Sequence, residues 1–391
     1  MRIGIFGGSF NPIHNGHIEI AKKALYEAGL DKCLLCVANK PPHKETADNV
    51  PARLRFEMTY NALSPELPIY ACSVEIEHGL SYTVDMLKTL TENPYYQHDR
   101  FYLIMGADML CSFMTWRAPD VICSMIEGII AVRRKGTSDD KELEESMLEI
   151  KKSLGMENII LIDDVSELSS TQIRQRVYDA LPITGMMPGG SERTVYENLL
   201  YQPTNIQVIA ANLKNSLSKK RYLHCTSTMR EAIALADKYG VDREKCRLAG
   251  LIHDCAKISC VDYIAMAERS QIELDEYDLA SPPLIHAKLG EFKARMQYHI
   301  TDKSVLDAVL FHTIASPDMD DVAKVVFIAD KIEALRTYQG VNELRRAAHS
   351  SLDEGMLACL ESSVDNLALT GKEAHPMTLA ALKHFSDIVK K

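Results

Sequence analysis

The sequence lacks the features that mark membrane-spanning, secreted and nucleic-acid-binding proteins. It contains no run of eighteen apolar residues, and its N-terminus enters a strand-like apolar run without a signal-peptide pattern. Lysine and arginine number 44 against 54 aspartate and glutamate residues, a formal net charge of −10 at pH 7. Because no basic stripe dominates, we expect neither a membrane nor a nucleic acid as partner, while local basic pockets can still bind small anions.

Cysteine occurs ten times, yet in no spacing that indicates a disulfide or zinc framework. One C-x-x-C pair, Cys33 and Cys36, lies in an apolar run that is typical of a buried strand rather than an exposed redox turn. We therefore expect reduced thiols and a cytoplasmic protein.

Length and periodicity predict two domains of different class. At 391 residues the chain exceeds what one hydrophobic core usually organises. Strand and helix patterns alternate as far as a glycine- and proline-rich loop over 182–193 and a linker at 202–205, and helical periods dominate thereafter. We predict an α/β doubly wound parallel sheet over 1–202 and an all-α domain over 206–391. The sequence leaves open whether copies of the chain form a homo-oligomer.

A glycine-rich loop joins the first predicted strand to the first predicted helix. Its sequence, GGSFNPIHNGH over residues 7–17, places backbone N–H groups and a helix dipole where a phosphate can be held. Two histidines three residues apart, His14 and His17, share one side of the first helical turn and can each donate an N–H to that phosphate. The glycines alone also suit plain turn chemistry, and the two histidines alone also suit a metal site.

Two strings of the first half resemble one superfamily. The loop resembles the GSFNP–HxGH signature of nucleotidyltransferases, which move a nucleoside monophosphate from a triphosphate. The string LSSTQIR, residues 168–174, is by itself a helix N-cap pattern, and with the loop it resembles the ISSTxIR signature, with Leu168 in place of isoleucine. The resemblance implies a Rossmann-like nucleotidyltransferase with His14, His17 and Arg174 in catalysis. The ATP contacts that it implies are Gly7, Gly8, Ser9, Phe10, Asn11, Gly16, Gly106, Asp108, Ser169, Ser170 and Thr171.

Two further strings favour nicotinate mononucleotide as the acceptor. Ser81-Tyr82-Thr83 resembles the segment in which bacterial nicotinate-mononucleotide adenylyltransferases hold the nicotinate carboxylate on backbone N–H groups. The only tryptophan, Trp116, stands beside Arg117 and matches the residue that stacks on the nicotinate ring in that family. Without the resemblance, Ser81 or Thr83 is simply a helix cap and Trp116 a core residue.

The resemblance implies a complete reaction for the first half. AMP passes from ATP, bound with Mg²⁺, to nicotinate mononucleotide, which yields nicotinate adenine dinucleotide and pyrophosphate. Lys44, in the loop Pro-Pro-His-Lys after the second strand, is a phosphate contact in this interpretation and a solvated lysine otherwise. The implied contacts with the nicotinate nucleotide are Lys44, Tyr82, Thr83, Trp116, Arg117 and Arg133.

Histidine and aspartate carry the chemistry of the helical half. The adjacent pair His253-Asp254 lies in an otherwise apolar run, residues 248–257, which we predict as a helix. Burial of such a pair is costly unless it is paired or binds a metal, although a satisfied pair in the core is the plainer alternative. Further candidate ligands on other predicted helices are His224, His286, His312 and Asp330.

These segments resemble the HD-type metal phosphohydrolases, and they match most closely the YqeK-type branch that splits diadenosine tetraphosphate symmetrically into two ADP. The resemblance implies a dinuclear metal centre. The ligands of one ion would be His224, His253, Asp254 and Asp330. Asp254 would bridge to a second ion, near His286 and His312. The family suggests iron, and manganese and zinc suit the same donors.

Two departures from that family concern the nucleotide it accepts. Cys225 follows the first histidine where the family often has serine, and residues 313–316 are TIAS where Thr-Thr-Gly-Arg is expected. The missing arginine leaves the nucleotide preference open. Lys257, one turn beyond Asp254, is a catalytic phosphate contact by the resemblance and a solvated lysine otherwise. The helical half is therefore a hydrolase of diadenosine tetraphosphate, a hydrolase of another nucleotide, or a non-catalytic nucleotide-sensing module.

Overall fold

The structure of the chain, a computed structural model, describes residues 1–40, 50–134, 140–164 and 166–390. It divides into two compact units. The first comprises Met1–Tyr178 and Pro182–Tyr201, and the second comprises Asp179–Leu181 and Gln202–Lys391. Lys44, the predicted phosphate contact, lies outside the described residues. Of the helices that the structure describes, none has the length and apolar character needed to cross a membrane.

The first unit is built on one six-stranded parallel sheet. Its strands are β1 Arg2–Gly8, β2 Lys32–Val37, β3 Ile69–Cys72, β4 Arg100–Gly106, β5 Gly128–Arg134 and β6 Ile159–Asp164. They lie in the order β3-β2-β1-β4-β5-β6, and every pairing is parallel. The chain therefore starts in the middle of the sheet, and the strand order reverses between β1 and β4. In such sheets, ligands bind beyond the carboxyl ends of the strands at this reversal.

Helices cover both faces of the sheet because its strands are continuous apolar runs. Alternate side chains enter opposite core layers: Ile5 packs with Leu34 on one face, and Phe6 packs with Leu35 on the other. The predicted doubly wound α/β fold is thereby confirmed. The helices of this unit are α1 Asn15–Glu27, α2 Ala52–Asn61, α3 Val74–Glu77, α4 Thr83–Thr91, α5 Ala107–Cys111, α6 Pro119–Met125, α7 Asp140–Leu154, α8 Ser170–Tyr178 and α9 Gly189–Glu197, with 3₁₀ turns at Pro94–Tyr96 and Phe113–Thr115.

The predicted loop over residues 182–193 is partly wrong, because α9 begins within it at Gly189. The buried hydroxyl of Ser191 donates to the backbone carbonyl of Met58 on α2 over 2.7 Å. Packing against α2 therefore stabilises a helix whose glycines and preceding proline favour a loop by local propensity.

The second unit contains only helices among its described residues, as predicted. These are α10 Thr204–Ser216, α11 Lys219–Tyr239, α12 Arg243–Ile252, α13 Tyr263–Arg269, α14 Glu276–Ala280, α15 Ile285–Gln297, α16 Lys303–Phe311, α17 Asp321–Ile332, α18 Val341–Ser350, α19 Leu352–Leu369 and α20 Pro376–Val389, with a 3₁₀ turn at Pro282–Leu284. Helix α11 packs on α12 and α17, and α16 packs on both α12 and α17. These four helices and α15, which packs on α16, carry or directly precede the candidate ligands.

Candidate active sites

The loop between β1 and α1 keeps its shape through a left-handed residue and two close approaches at glycine. Phe10 has a φ of 44°, a conformation that costs a non-glycine residue on the order of 1–3 kcal/mol, and its buried ring packs edge-on against His17 with centroids 5.1 Å apart. A Cβ on Gly8 would lie 2.9 Å from the Phe10 ring, and a Cβ on Gly16 would lie 2.7 Å from Ser166 Oγ. The loop conformation therefore requires glycine at both positions.

His14 and His17 lie together at the start of α1, as their spacing predicted. His14 is the N-cap residue; its backbone N–H donates to His17 Nδ1 over 3.2 Å, and the two imidazole centroids are 3.7 Å apart. Because His17 Nδ1 accepts this bond, the neutral ring carries its proton on Nε2, which is then a donor. Both rings stand at a helix N-terminus, whose dipole favours an anion.

The start of α8 packs back onto the first loop. Ser170 Oγ donates to the carbonyl of Pro12 over 2.9 Å, and Arg174 Nη1 donates to the carbonyl of Asn11 over 2.8 Å. Two helix N-termini and one guanidinium group thus meet at a single loop, although about 160 residues separate the two strings. This arrangement concentrates positive potential where a polyphosphate can bind.

Two hydroxyls from the same string support α8 itself. Ser169 Oγ accepts the backbone N–H of Gln172 over 3.1 Å and so caps the helix, as its position predicted. Thr171 Oγ1 accepts a second arm of Arg174 over 3.1 Å. The guanidinium of Arg174 is therefore held in a fixed orientation between α8 and the loop.

The two segments predicted to bind nicotinate lie side by side. The guanidinium carbon of Arg117 is 4.7 Å from the centroid of the Tyr82 ring, and Arg117 Nη1 is 3.5 Å from Asp85 Oδ2. Trp116 is half-buried and packs against Phe113, with ring centroids 5.3 Å apart. Tyr82 is 43% exposed, so an aromatic face and a cation are both accessible here.

The simpler interpretation of Ser81 and Thr83, as caps of the following helix, is wrong. The N-cap of α4 is Tyr82, and no side chain of the described residues caps this helix end. The backbone N–H groups at the start of α4 therefore lack the side-chain acceptor that capping would supply.

Two predicted nucleotide contacts lie at the carboxyl ends of β4 and β5, the first two strands beyond the reversal of strand order. Asp108 is exposed on the first turn of α5, a helix whose N-cap is Gly106 at the end of β4. Arg133, near the end of β5, makes two ion pairs, over 2.9 Å with Asp163 and over 3.3 Å with Asp140. A nucleotide that binds Arg133 must therefore compete with two carboxylates.

Two buried charged residues, Arg55 and Glu75, were missed by sequence reasoning. Arg55 is 4% exposed and donates to the carbonyl of Ser9 over 2.7 Å and to that of Asn39 over 3.0 Å. Glu75 is 7% exposed and accepts the backbone N–H of Asn39 over 3.3 Å. Burial raises the pKa of Glu75 to about 7, although the bond from Asn39 and the charge of Arg55 oppose this rise. Together they hold the backbone at Ser9, directly after β1, and at Asn39, shortly after β2. Neither belongs to a motif that would reveal it.

In the second unit, the six predicted ligands meet in one buried cluster. His224 lies on α11, His253 and Asp254 directly after α12, His286 on α15, His312 directly after α16, and Asp330 on α17. The predicted helix through the His-Asp pair is wrong, because α12 ends at Ile252. His253 Nδ1 donates to the carbonyl of Gly250 over 2.8 Å and occupies the acceptor that a continuing helix would use.

Asp254 lies at the centre of this cluster. Its Oδ1 is 3.0 Å from His286 Nε2 and 3.3 Å from His312 Nε2. Its Oδ2 is 3.5 Å from His253 Nε2 and 3.7 Å from His224 Nε2. The donor atoms thus form two groups that share Asp254, each with two imidazoles and each compact enough to hold one metal ion.

Asp330 completes the first group as a second carboxylate. Its Oδ1 is 3.0 Å from His224 Nε2 and 3.7 Å from His253 Nε2. Burial alone would raise the pKa of both aspartates, but His253 beside Asp254 and Lys331 beside Asp330 hold both pKa values well below the ordinary range. Both carboxylates are therefore anionic at neutral pH.

All four imidazoles turn Nε2 toward the centre. Nδ1 of His253, His286 and His312 each faces the backbone carbonyl three residues earlier, whereas Nδ1 of His224 faces Glu333 Oε1 at 3.1 Å. Carbonyl and carboxylate oxygens only accept, so the Nδ1 atoms carry protons, and a neutral ring then turns its Nε2 lone pair toward the centre. Paired Nε2 atoms lie 3.2 Å and 3.1 Å apart. Lone pairs this close, beside two anionic oxygens, repel unless a cation lies between them.

The pKa values of the histidines differ. Burial lowers the pKa of His224, but its hydrogen bonds to Asp330 and Glu333 outweigh burial and raise that pKa, so a metal ion would displace a proton there. Burial lowers the pKa of His253 to about 3, against the raising effect of Asp254, and burial also lowers the pKa of His286. Both rings are therefore neutral at neutral pH, the form that ligates. Imidazole nitrogen and carboxylate oxygen together suit iron, manganese or zinc. The residues thus fit a two-metal centre by the chemistry of their donors.

Four partly exposed cations surround the ligands: Arg221, Lys257, Lys331 and Arg336. Lys257 Nζ is 3.7 Å from Asp254 Oδ1, while Lys331 Nζ and Arg336 Nη2 each lie 2.7 Å from an oxygen of Asp330. The sequence indicated only Lys257 among them. The other three belong to no motif that predicts a contact, and only the folded chain brings them to the site. Such a rim can bind the phosphates of a nucleotide.

Fold and site together define a chain with a nucleotidyltransferase-type sheet unit followed by a helical metal-site unit of HD type. The cytidylyltransferase-like family model matches residues 5–176, and the HD domain model matches residues 221–335. A protein of Halalkalibacterium halodurans named "Probable nicotinate-nucleotide adenylyltransferase" is 32% identical over 203 residues, which cover 51% of this chain and 91% of that protein. The chain therefore belongs to the nicotinate-nucleotide adenylyltransferase family in its first part and to the HD family in its second.

A second protein of the same organism matches another part of the chain. It is named "Bis(5'-nucleosyl)-tetraphosphatase, symmetrical" and is 32% identical over 168 residues, which cover 43% of this chain and 90% of that protein. A crystal structure of a "predicted HD superfamily hydrolase involved in NAD metabolism" from Clostridium acetobutylicum is 35% identical in sequence. That likeness covers 47% of this chain and 97% of the other, with a TM-score of 0.45.

Proposed function

We propose that the chain is a bifunctional enzyme with one activity in residues 1–202 and another in residues 206–391. The first activity transfers AMP from ATP to nicotinate mononucleotide and releases nicotinate adenine dinucleotide and pyrophosphate. The second hydrolyses diadenosine tetraphosphate to two ADP. All three nucleotide substrates are small molecules, in agreement with the relatives' names and with the absence of a basic stripe.

The convergence of His14, His17 and Arg174 on one loop supports the first activity most strongly. A phosphate oxygen of nicotinate mononucleotide attacks the α-phosphorus of ATP, and the bond to the pyrophosphate oxygen breaks. His17 Nε2–H and the guanidinium of Arg174 stabilise the charge that builds on the leaving phosphates. Mg²⁺ would enter with ATP, offset the charge of its phosphates and need few protein ligands.

The segment around Tyr82 and Thr83 supports nicotinate as the base of the acceptor. Backbone N–H groups at the start of α4 suit a carboxylate, which the corresponding amide does not offer. Trp116 supplies an aromatic surface beside them, and Arg117 adds a cation. We therefore expect preference for the acid form of the mononucleotide over the amide form.

Replacement of one histidine tests the first activity. His17→Ala removes a donor at the developing charge, so kcat for dinucleotide synthesis should fall by about 10²- to 10³-fold. His98→Ala is the matched control. His98 is exposed and lies just before β4, so it lies at the amino ends of the strands, whereas the loop with His17 lies at their carboxyl ends. Synthesis is followed as pyrophosphate release. Unchanged synthesis in His17→Ala would refute the assignment.

The sharing of Asp254 by two groups of buried donors supports the second activity most strongly. The residues that would hold two metal ions are His224, His253, Asp254, His286, His312 and Asp330. When bound, such ions lower the pKa of a water and offset the charge of the attacked phosphate. Iron is our first expectation, ahead of manganese and zinc. Lys257 and Arg336 stand where they can neutralise a nucleotide phosphate.

Replacement of the shared aspartate tests the second activity. Asp254→Ala should abolish ADP release from diadenosine tetraphosphate and leave dinucleotide synthesis unchanged. Asp387→Ala is the control, because Asp387 is exposed on α20. A nucleotide-sensing module would bind the tetraphosphate without turnover in the unmodified chain, and a hydrolase of another nucleotide would release its product from a different member of a nucleotide panel.

A further inference from the structure

His224 is held by a different kind of partner from the other three histidines. His253 and His312 directly follow helices, and His286 lies in the first turn of α15, so each finds a backbone carbonyl three residues earlier for its Nδ1 proton. His224 instead lies inside α11, which spans Lys219–Tyr239. There the preceding carbonyls already accept the helix's own N–H groups. An interior histidine needs an acceptor from another element to fix its ring.

Glu333 supplies that acceptor from the end of α17. Its side chain is buried, with the residue 1% exposed, and Oε1 lies 3.1 Å from His224 Nδ1. Its other oxygen, Oε2, accepts the backbone N–H of Leu335 over 2.7 Å. Because both oxygens are engaged, the carboxylate has one orientation, and it imposes one orientation on the imidazole.

We propose that Glu333 is the positioning residue for the first metal group: it accepts the Nδ1 proton of His224 and so selects the tautomer whose Nε2 lone pair faces the centre. That Nε2 atom lies 3.0 Å from Asp330 Oδ1 and 3.2 Å from His253 Nε2. The inference rests on the dinuclear centre proposed above and concerns only one of its two ions. Glu333 itself touches neither His286 nor His312 among the described contacts.

The asymmetry predicts which ion depends on a side chain outside the ligand set. The second group, with His286 and His312, is oriented by backbone carbonyls that no substitution removes. The first group depends on a carboxylate that a single substitution can delete. Outer hydrogen-bond partners of this kind typically change metal affinity by about 10- to 100-fold.

The test measures Mn²⁺ binding to the full chain after removal of metal with a chelator. Equilibrium dialysis should show two bound ions in the unmodified protein, and Glu333→Ala should weaken one of them by about 10- to 100-fold while the other keeps its affinity. Glu333→Gln keeps an acceptor oxygen on a side chain of the same length. The loss of Mn²⁺ affinity should therefore be smaller, below about 10-fold, and confined to the same ion. Glu343→Ala is the matched control, since Glu343 is exposed on α18 and pairs with Arg346.

Each outcome decides the inference. Equal affinities for both ions in Glu333→Ala and in the unmodified chain would overturn it, and so would an equal loss at both ions. A merely structural role would lower the melting temperature and leave Mn²⁺ affinity of the folded protein unchanged, which also overturns it. If the alanine variant does not fold, the glutamine variant decides by the same criterion. An unmodified chain that binds no Mn²⁺ would instead refute the dinuclear centre itself.

Discussion

The candidate sites of the two units are built from different chemical groups, although the ligand that we propose for each is a chain of phosphates. The first relies on backbone N–H groups and helix N-termini, arranged by glycines and by the left-handed Phe10. The second relies on buried side chains whose protonation and tautomers are fixed by their neighbours, such as Asp254 and His253. A backbone site therefore depends on loop conformation, whereas a side-chain site depends on ionisation and on bound metal. Perturbations of conformation and of metal content should thus affect the two units separately.

Metal removal should give the largest contrast between the units. Dialysis against a chelator, followed by return of Mg²⁺ alone, should reduce ADP release by on the order of 10³-fold or more, because no ion is left to activate water. Dinucleotide synthesis should be unchanged, since the first unit needs only the Mg²⁺ that accompanies ATP. Parallel assays of the two products on one preparation measure this. A comparable loss of both activities would contradict the division.

Arg174→Ala should give the next largest effect, and only on synthesis. It removes the guanidinium that donates to the carbonyl of Asn11 in the loop between β1 and α1. Synthesis should therefore fall by about 10²- to 10³-fold, mainly in kcat. Arg193→Ala, an exposed arginine on α9, serves as control. ADP release should be the same in both variants. A change in KM alone would mean that Arg174 binds the ground state and the transition state equally.

Arg55→Met tests whether the candidate site of the first unit depends on the hydrogen bonds that Arg55 donates to the carbonyls of Ser9 and Asn39. The variant leaves the partly buried carbonyls of Ser9 and Asn39 without the guanidinium donor, so the free energy of unfolding of the first unit should fall by about 1–3 kcal/mol. Displaced loops should also reduce kcat/KM for synthesis by on the order of 10- to 100-fold. Arg53→Met, two residues earlier and exposed, is the control. Denaturant unfolding can be followed by fluorescence of Trp116, the only tryptophan, which lies in the first unit.

Replacement of Glu75 should have the smallest effect on activity, but it should measurably change how the free energy of unfolding depends on pH. Its pKa of about 7 in the folded state exceeds the ordinary value of 4.5, because burial disfavours the carboxylate. Between these values the folded state keeps a proton that the unfolded state has lost. The contribution of Glu75 to the free energy of unfolding is therefore fully present below pH 4.5 and is lost as the pH rises through 7, a loss of up to roughly 3 kcal/mol.

Glu75→Gln should remove this part of the pH dependence. The amide keeps the shape and does not titrate, so the difference in unfolding free energy between pH 5 and pH 8 should shrink relative to the unmodified chain. The exposed Glu66→Gln is the control and should keep the original slope. Other titrating groups are common to all three proteins and cancel in the comparison. Identical slopes in Glu75→Gln and the unmodified chain would show that Glu75 is ionised in the folded state.

Several elements were predictable because their patterns are local. The predicted alternation of strands and helices is found in the first unit, since each strand is a continuous apolar run. Local rules failed where distant contacts decided. Helix α9 forms against the distant α2 despite its glycines. A side chain marks the other difference: α12 stops before His253, whose imidazole donates to the carbonyl of Gly250 three residues earlier. The roles proposed for the site residues stay predictions.

The sequence by itself determined the fold class and the chemical identity of the candidate ligands. Strand and helix periods, the loop at 7–17 and the His-Asp pair are all contained in short segments, where spacing fixes which side chains share a face. Tertiary structure alone decided which groups support them: Arg55 under the first loop, and Glu333 behind His224. Glu333 and His224 are 109 residues apart, and burial makes their hydrogen bond necessary. Such partners are set by packing in three dimensions, which leaves no local pattern in the chain.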